Sequence, residues 1–203
     1  MQVYPVKGSH VFKPTYMLIL ANFAVYAYTS IIGGNFIFTG DEALERYGQV
    51  NSFVMNGWYW QLFTSLFVHV NIIHLLGNMF FLTVFGLRAE ELFILPEYLA
   101  TYFLSGLTGN LLTLLLGPTI VSAGASGAIF GLFGACAVYI RRAIGQSLVS
   151  ALLYSFFLLM ISTAPGVNVL AHFGGLVAGL LIGYVLASKR KFRINYQYRV
   201  VYS

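Results

Sequence analysis

Long uncharged apolar stretches, separated by short polar punctuation, run through most of the chain. Residues from Thr15 to Phe38 are apolar and aromatic with no charge. About 20 such residues cross a ~30 Å hydrocarbon layer as a helix. Residues 39–61 change character: Asp41, Glu42, Glu45 and Arg46 sit among Gly, Asn and aromatic residues, closing on Trp58-Tyr59-Trp60. That pattern predicts an outside loop with amphipathic pieces at the membrane interface, where Trp and Tyr prefer to lie. A second span is predicted from about Leu62 to Leu87, then a polar connector over 88–97, and a third span from Tyr98 to Leu116 ending at Gly117-Pro118. The fourth runs from about Ser122 to Ile140 and stops at Arg141-Arg142, and the fifth covers about Ser147 to Thr163. The sixth runs from Val167 to Ala187 and stops at Lys189-Arg190-Lys191.

Composition excludes an ordinary soluble domain. The 203 residues are 59% hydrophobic and 8% charged, against ~25% charged in soluble chains, and mean hydropathy is +0.80. Lipid leaves backbone polar groups unsatisfied unless they bond within the segment, so the spans are read as helices. The predicted fold class is an all-α polytopic membrane protein, a bundle of six transmembrane helices. Three parts are expected: a lead-in at 1–14, a membrane domain at 15–187 and a basic tail at 188–203. The single cysteine, Cys136, sits in an apolar run, permits no intrachain disulfide, and reads as a packing residue. No cleavable leader pattern is expected at the N-terminus.

Charge sets orientation. With both termini inside, Lys7, Lys13, Arg88, Arg141, Arg142, Lys189, Arg190, Lys191, Arg193 and Arg199 are inside and only Arg46 is outside. Ten of the eleven basic residues then obey the positive-inside rule. The basic pI therefore reflects membrane orientation, and no nucleic-acid partner is expected.

The polar residues of the apolar body converge. With that orientation spans two, four and six all run from outside to inside. Ser126 and His172 each lie about one turn into their spans, while His74 and Asn78, expected some three turns into theirs, share one helix face at i and i+4. Gly127, Gly131 and Ala135 recur every four residues, as do Ala171, Gly175, Gly179 and Gly183. Small-residue stripes of this kind let two helices approach closely in lipid. Such a crossing brings the Ser126 hydroxyl toward the His172 imidazole. An ionisable residue inside a membrane is expensive and normally marks function. Ser with His forms a nucleophile and proton shuttle suited to amide hydrolysis. No Asp or Glu lies in the body of any span, so the residues support a dyad rather than a triad with a carboxylate.

These motifs resemble a known family. Gly124-Ala125-Ser126-Gly127 is similar to the GxSG motif of the rhomboid intramembrane serine proteases. His74-x-x-x-Asn78 resembles that family's HxxxN motif, and Ala171-His172-Phe173-Gly174-Gly175 its final helix. The resemblance covers roughly residues 15–187 and fits a prokaryotic, minimal six-span form. It implies that Ser126 is the nucleophile and His172 the general base. His74, Asn78 and the Ser126 backbone N–H would form the oxyanion site. Gly124 and Gly127 are supporting motif residues. Phe130 stands where the family often has a Tyr packed on the catalytic His, and His69 matches a His that supports the outer loop. The family often has Trp-Arg ahead of the second span, whereas this chain has Trp60-Gln61, so a less braced loop is expected. Glu90 falls where the family often keeps an acidic residue.

The implied substrates are single-span membrane proteins, cut in or near their transmembrane helix. The implied location is the cell membrane, with the site opening outward, and neither cofactor nor metal is implied. Three other readings stand beside this one. An inactive relative would bind transmembrane clients without cutting them. A transporter would be marked by inverted repeats and charges at the midplane. A metal or haem protein would use His69, His74 and His172 as ligands.

Overall fold

A computed structural model of the protein describes residues 13–163 and 166–190. Expectations for 1–12 and for 191–203, covering nearly all of the lead-in and most of the basic tail, lie outside the described residues.

Helix α1 spans Pro14–Gly33. Pro14 occupies the first turn, where the missing N–H has no intrahelical partner to lose. The helix stops short of the expected Phe38 because Gly34 adopts a left-handed φ of 63° and closes it. The polar segment that follows folds into a cap of short pieces: α2 (Asp41–Tyr47), β1 (Gln49–Val50), α3 (Asn51–Met55) and α4 (Gln61–Thr64). Strand β1 pairs antiparallel with β2 (Val121–Ser122), Gln49 opposite Ser122 and Val50 opposite Val121. This pairing ties the cap to the segment just ahead of Ser126, a long-range link that hydrophobic patterning did not predict.

The second span begins later than expected. Helix α5 covers Ile72–Leu92, and the Asn71 side chain caps it by accepting from the His74 backbone N–H at 2.8 Å. Residues from Leu62 onward belong instead to α4 and a loop, so His69 lies outside the helix. The polar connector expected at 88–97 also shrinks, because α5 continues through Arg88, Glu90 and Glu91 and α6 starts at Leu95. Helix α6 (Leu95–Thr113) runs into a short 3-10 turn at Leu114–Leu116. Helices α7 (Ser126–Ala143), α8 (Val149–Ile161) and α9 (Val169–Lys189) complete the bundle, so the predicted all-α architecture holds. Among the described residues, α1, α5, α9 and α6 with its 3-10 extension are long and apolar enough to cross a membrane. At 1.5 Å per residue the 13 residues of α8 reach only about 20 Å.

Helix α7 is the axis of the bundle and is buried along most of its length. The small-residue stripes meet as the spacing predicts. A Cβ on Gly175 would overlap the Gly127 backbone, one on Gly179 the Gly131 backbone, and one on Gly183 the Ala135 backbone. Helix α6 closes the same seam from a third side. A Cβ on Gly109 would strike the Ala171 carbonyl, and one on Gly106 would come within 2.8 Å of Leu66. Large apolar side chains including Leu20, Ile73, Phe80, Phe157 and Leu181 remain exposed. In water such a surface would aggregate; it suits lipid.

The end of the bundle remote from Ser126 is held by charge. Arg190 donates to the Leu92 carbonyl at 2.7 Å and to the Tyr139 hydroxyl at 2.6 Å, and pairs with Glu97. Glu90 accepts from the backbone N–H of Thr15 at 2.8 Å, occupying one orphan donor at the start of α1. Cys136 is buried and free, the packing role expected of it.

Candidate active site

The helices α5, α7 and α9 each begin at the same end of the bundle, and the polar residues sit in their opening turns. Ser126 is the first residue of α7, His172 lies in the first turn of α9, and His74 lies in the first turn of α5 with Asn78 one turn on. His74 and Asn78 are therefore shallower in α5 than the expected three turns. The reason is the Asn71 cap, which starts the helix ten residues after the first apolar position at Leu62.

The His172 Nε2 and Ser126 Oγ are 2.8 Å apart, within hydrogen-bond range. Local backbone chemistry prepares both. Gly124 has φ of 133°, where a side chain would be strained, and a Cβ there would lie 2.8 Å from His74 Cε1. Its N–H donates to the Ser65 carbonyl at 2.9 Å, docking the turn that presents Ser126. On the other side Asn168 caps α9, accepting from the Ala171 N–H at 3.0 Å and donating to Thr113 Oγ1 at 2.8 Å and Ser122 Oγ at 2.9 Å. Asn168 thus fixes the start of the helix that carries His172 against both α6 and β2.

Phe130 stacks on the His172 ring, with centroids 4.6 Å apart and planes inclined by 22°. Packing of this kind restrains the ring plane. His172 Nδ1 lies 3.2 Å from Ser162 Oγ, at the C-terminal end of α8. Nothing in the pattern of the chain singles out Ser162; it is one hydroxyl in a helix end, and only the tertiary fold brings it to the imidazole.

Asn78 and His74 have engagements of their own. The Asn78 amide donates to the His74 carbonyl at 2.9 Å, and His74 Nδ1 is buried with no hydrogen-bond partner among the described residues. His69 is fully buried, its ring edge-on to His74 at 5.1 Å, and its carbonyl accepts from Thr39 Oγ1 at 2.6 Å. It therefore lies between the cap and His74. A recess of about 770 Å³ is lined by cap residues including Glu42, Arg46, Trp58 and Trp60, and neither Ser126 nor His172 lines it.

Gln61 braces the cap. It is fully buried, donates to the Glu45 carbonyl at 2.6 Å and accepts from the Val50 N–H at 2.9 Å. Asn110 joins the same region to α6 by donating to the Leu62 carbonyl at 2.7 Å and to Ser65 Oγ at 2.9 Å. The bracing expected to be weak without an Arg is supplied by these neutral amides.

An all-α membrane bundle with Ser and His hydrogen-bonded at converging helix starts defines a class of intramembrane protein, and comparison gives the family. The Rhomboid domain matches residues 56–189, and the chain belongs to the rhomboid family. It is 34% identical over 176 residues to RHOMBOID-like protein 6, mitochondrial, of Arabidopsis thaliana, covering 80% of this chain and 57% of that one. It is 34% identical over 146 residues to YdcA of Bacillus subtilis, provisionally named a rhomboid protease, covering 69% of this chain and 73% of that one. It is 34% identical over 134 residues to Rhomboid-like protease 3 of Toxoplasma gondii, covering 61% of this chain and 50% of that one. The chain spans about half the length of several curated relatives that it matches.

Proposed function

We propose that this protein is an intramembrane serine endopeptidase, cutting a peptide bond in or near the transmembrane helix of single-span membrane proteins. The observation that carries the reading is the 2.8 Å approach of His172 Nε2 to Ser126 Oγ at the start of α7. Relatives named as rhomboid proteases support it.

Ser126 Oγ attacks the scissile carbonyl carbon as His172 Nε2 takes its proton, and the imidazolium then gives that proton to the departing amine. Water repeats the sequence on the acyl-enzyme, with His172 again as base, and releases Ser126. Negative charge on the carbonyl oxygen is met by the Ser126 backbone N–H, one of the donors that a helix start leaves without an intrahelical partner. Asn78 and His74 are the further donors; the Asn78 amide gives one N–H to the His74 carbonyl and has a second to offer. Gly124 holds the turn, Gly127 the helix approach, Phe130 the ring plane and His69 the cap.

A substrate helix has every backbone group bonded internally, so it must unwind locally before attack. Sequences with Gly or Pro near the cut should be preferred. On this reading the membrane domain is residues 15–187, with both termini inside, in the cell membrane, and the site facing outward. The arrangement of charge supports that orientation: Arg88, Arg141, Arg142, Lys189 and Arg190 all fall at the C-terminal ends of α5, α7 and α9, opposite Ser126.

The test is labelling by a fluorophosphonate probe in detergent, beside cleavage of a model transmembrane substrate. Labelling and cleavage by wild type, lost in Ser126→Ala and His172→Ala, are expected. Folded wild-type protein that neither labels nor cleaves would overturn the reading in favour of client binding.

A further inference from the structure

We infer that Ser162 is a positioning residue that fixes the tautomer of His172, filling with a neutral hydroxyl the place a carboxylate takes in a Ser–His–Asp triad. The inference rests on the proteolytic reading of Ser126 and His172.

The argument starts from proton counting. A serine hydroxyl has one proton to donate and two lone pairs to accept with. Ser162 Oγ lies 2.7 Å from the Leu159 carbonyl, which has lone pairs only, so the hydroxyl proton is committed there. Toward His172 Nδ1 at 3.2 Å the oxygen can then only accept. Nδ1 must carry the N–H. In a neutral imidazole the other nitrogen is bare, so Nε2 presents its lone pair to Ser126 Oγ at 2.8 Å. That is the tautomer in which His172 accepts the nucleophile's proton. In the opposite tautomer Nε2–H would point at Ser126, and no base would face the hydroxyl.

Phe130 cannot make this choice. Its ring restrains the plane of the imidazole but offers no hydrogen bond, and a half-turn of His172 about Cβ–Cγ keeps the stacked plane. No acidic side chain is available either, since among the described residues no carboxylate is hydrogen-bonded to His172. Stacking and the Ser162 bond therefore divide the task, one setting the plane and the other the rotation and proton position.

The local structure of α8 serves the same end. Ser162 is the C-cap of α8, and the Leu159 carbonyl, with two lone pairs, accepts both its backbone N–H at 3.2 Å and its hydroxyl at 2.7 Å. Leu159 in that last turn packs in one buried cluster with Phe130 and Leu176. The helix end that carries Ser162 is thus seated beside the ring it orients.

The experiment uses the full chain in detergent with ¹⁵N-labelled histidine, comparing wild type, Ser162→Ala and Ser162→Thr, with His172→Ala to assign the signal. In wild type the His172 nitrogen shifts should show Nδ1 protonated. Ser162→Ala should move them toward the other tautomer and lower kcat ~3–10-fold with KM unchanged, the size expected for one neutral hydrogen bond. Ser162→Thr, which keeps the hydroxyl, should restore both. A wild-type Nε2–H tautomer, or a Ser162→Ala variant with unchanged nitrogen shifts, overturns the inference. Because the tautomer is read without turnover, inactive wild type with Nδ1–H lost only in Ser162→Ala would sink the proteolytic reading and leave the positioning role standing.

Discussion

Gly175 on α9 lies so close to the Gly127 carbonyl on α7 that a β-carbon has no room between the two helices. Ser126 precedes one of these glycines and His172 stands three residues before the other, so the closeness of the backbones sets the reach between hydroxyl and imidazole. Gly175→Ala should therefore force α7 and α9 apart. The overpacking should cost about 1–3 kcal/mol or more and reduce cleavage even where the protein remains folded. Gly77→Ala, at a helical glycine with nothing within 4 Å of the added carbon, is the control and should leave stability unchanged or slightly raised. Chemical or thermal unfolding in detergent distinguishes the two; equal effects would refute the tight-seam account.

Ser126→Ala and His172→Ala should each lower kcat by ~10⁴-fold or more. On the proposed dyad the two act as one unit, and the double variant should lose no more than either single. Single-turnover cleavage of a model substrate measures this, and additive losses would mean that the residues work independently.

Asn78→Ala removes a donor proposed for the oxyanion. The expected result is a ~10²-fold fall in kcat with little change in KM. Its native amide is bonded to the His74 carbonyl, so unfolding should show a loss of only about 0.5–1.5 kcal/mol beside the larger fall in turnover. A raised KM with normal kcat would place Asn78 in substrate binding instead.

Phe130→Ala should lower kcat ~10-fold by freeing the His172 ring, a loss of about 1.4 kcal/mol, which lies within the range for aromatic pairs. Phe130→Tyr keeps the stacking face and should stay within about 3-fold of wild type. Steady-state kinetics on these two and on Phe130→Leu decides between ring stacking and simple space filling, since leucine would keep activity only if filling space is enough.

Gln61→Ala leaves the buried Val50 N–H without its acceptor and frees the Glu45 carbonyl. A penalty of about 1–3 kcal/mol is expected for such an unsatisfied group. It should appear as a lower melting temperature and faster proteolytic nicking within 39–61. Unchanged nicking would show that Asn110 and the β1–β2 pair hold the cap without Gln61.

How far the chain could be read without its fold is clear from where expectations moved. Hydropathy starts the second span too early because apolar residues continue from Leu62 toward α5, and it does not see a helix break inside an apolar run. The Asn71 cap was the available signal, as was Asn168 ahead of α9. In the chain Gln61 stands out only as the lack of an Arg, although a neutral amide that both donates and accepts can brace a buried loop. Ser162 left no mark at all, since its role depends on a helix end meeting a ring ten residues later.

The sequence by itself determined the all-α membrane character, through its sparse charge and long apolar runs. It also determined the pairing of α7 with α9, because small residues at four-residue intervals define a face whatever surrounds it. These are local and periodic properties, and periodicity is written along the chain. The tertiary structure alone decided the depth of His74, the bracing of the cap and the partner of His172 Nδ1. Each of those depends on directional hydrogen bonds between segments distant in sequence or turned back on one another, and residue spacing carries no record of where such groups point.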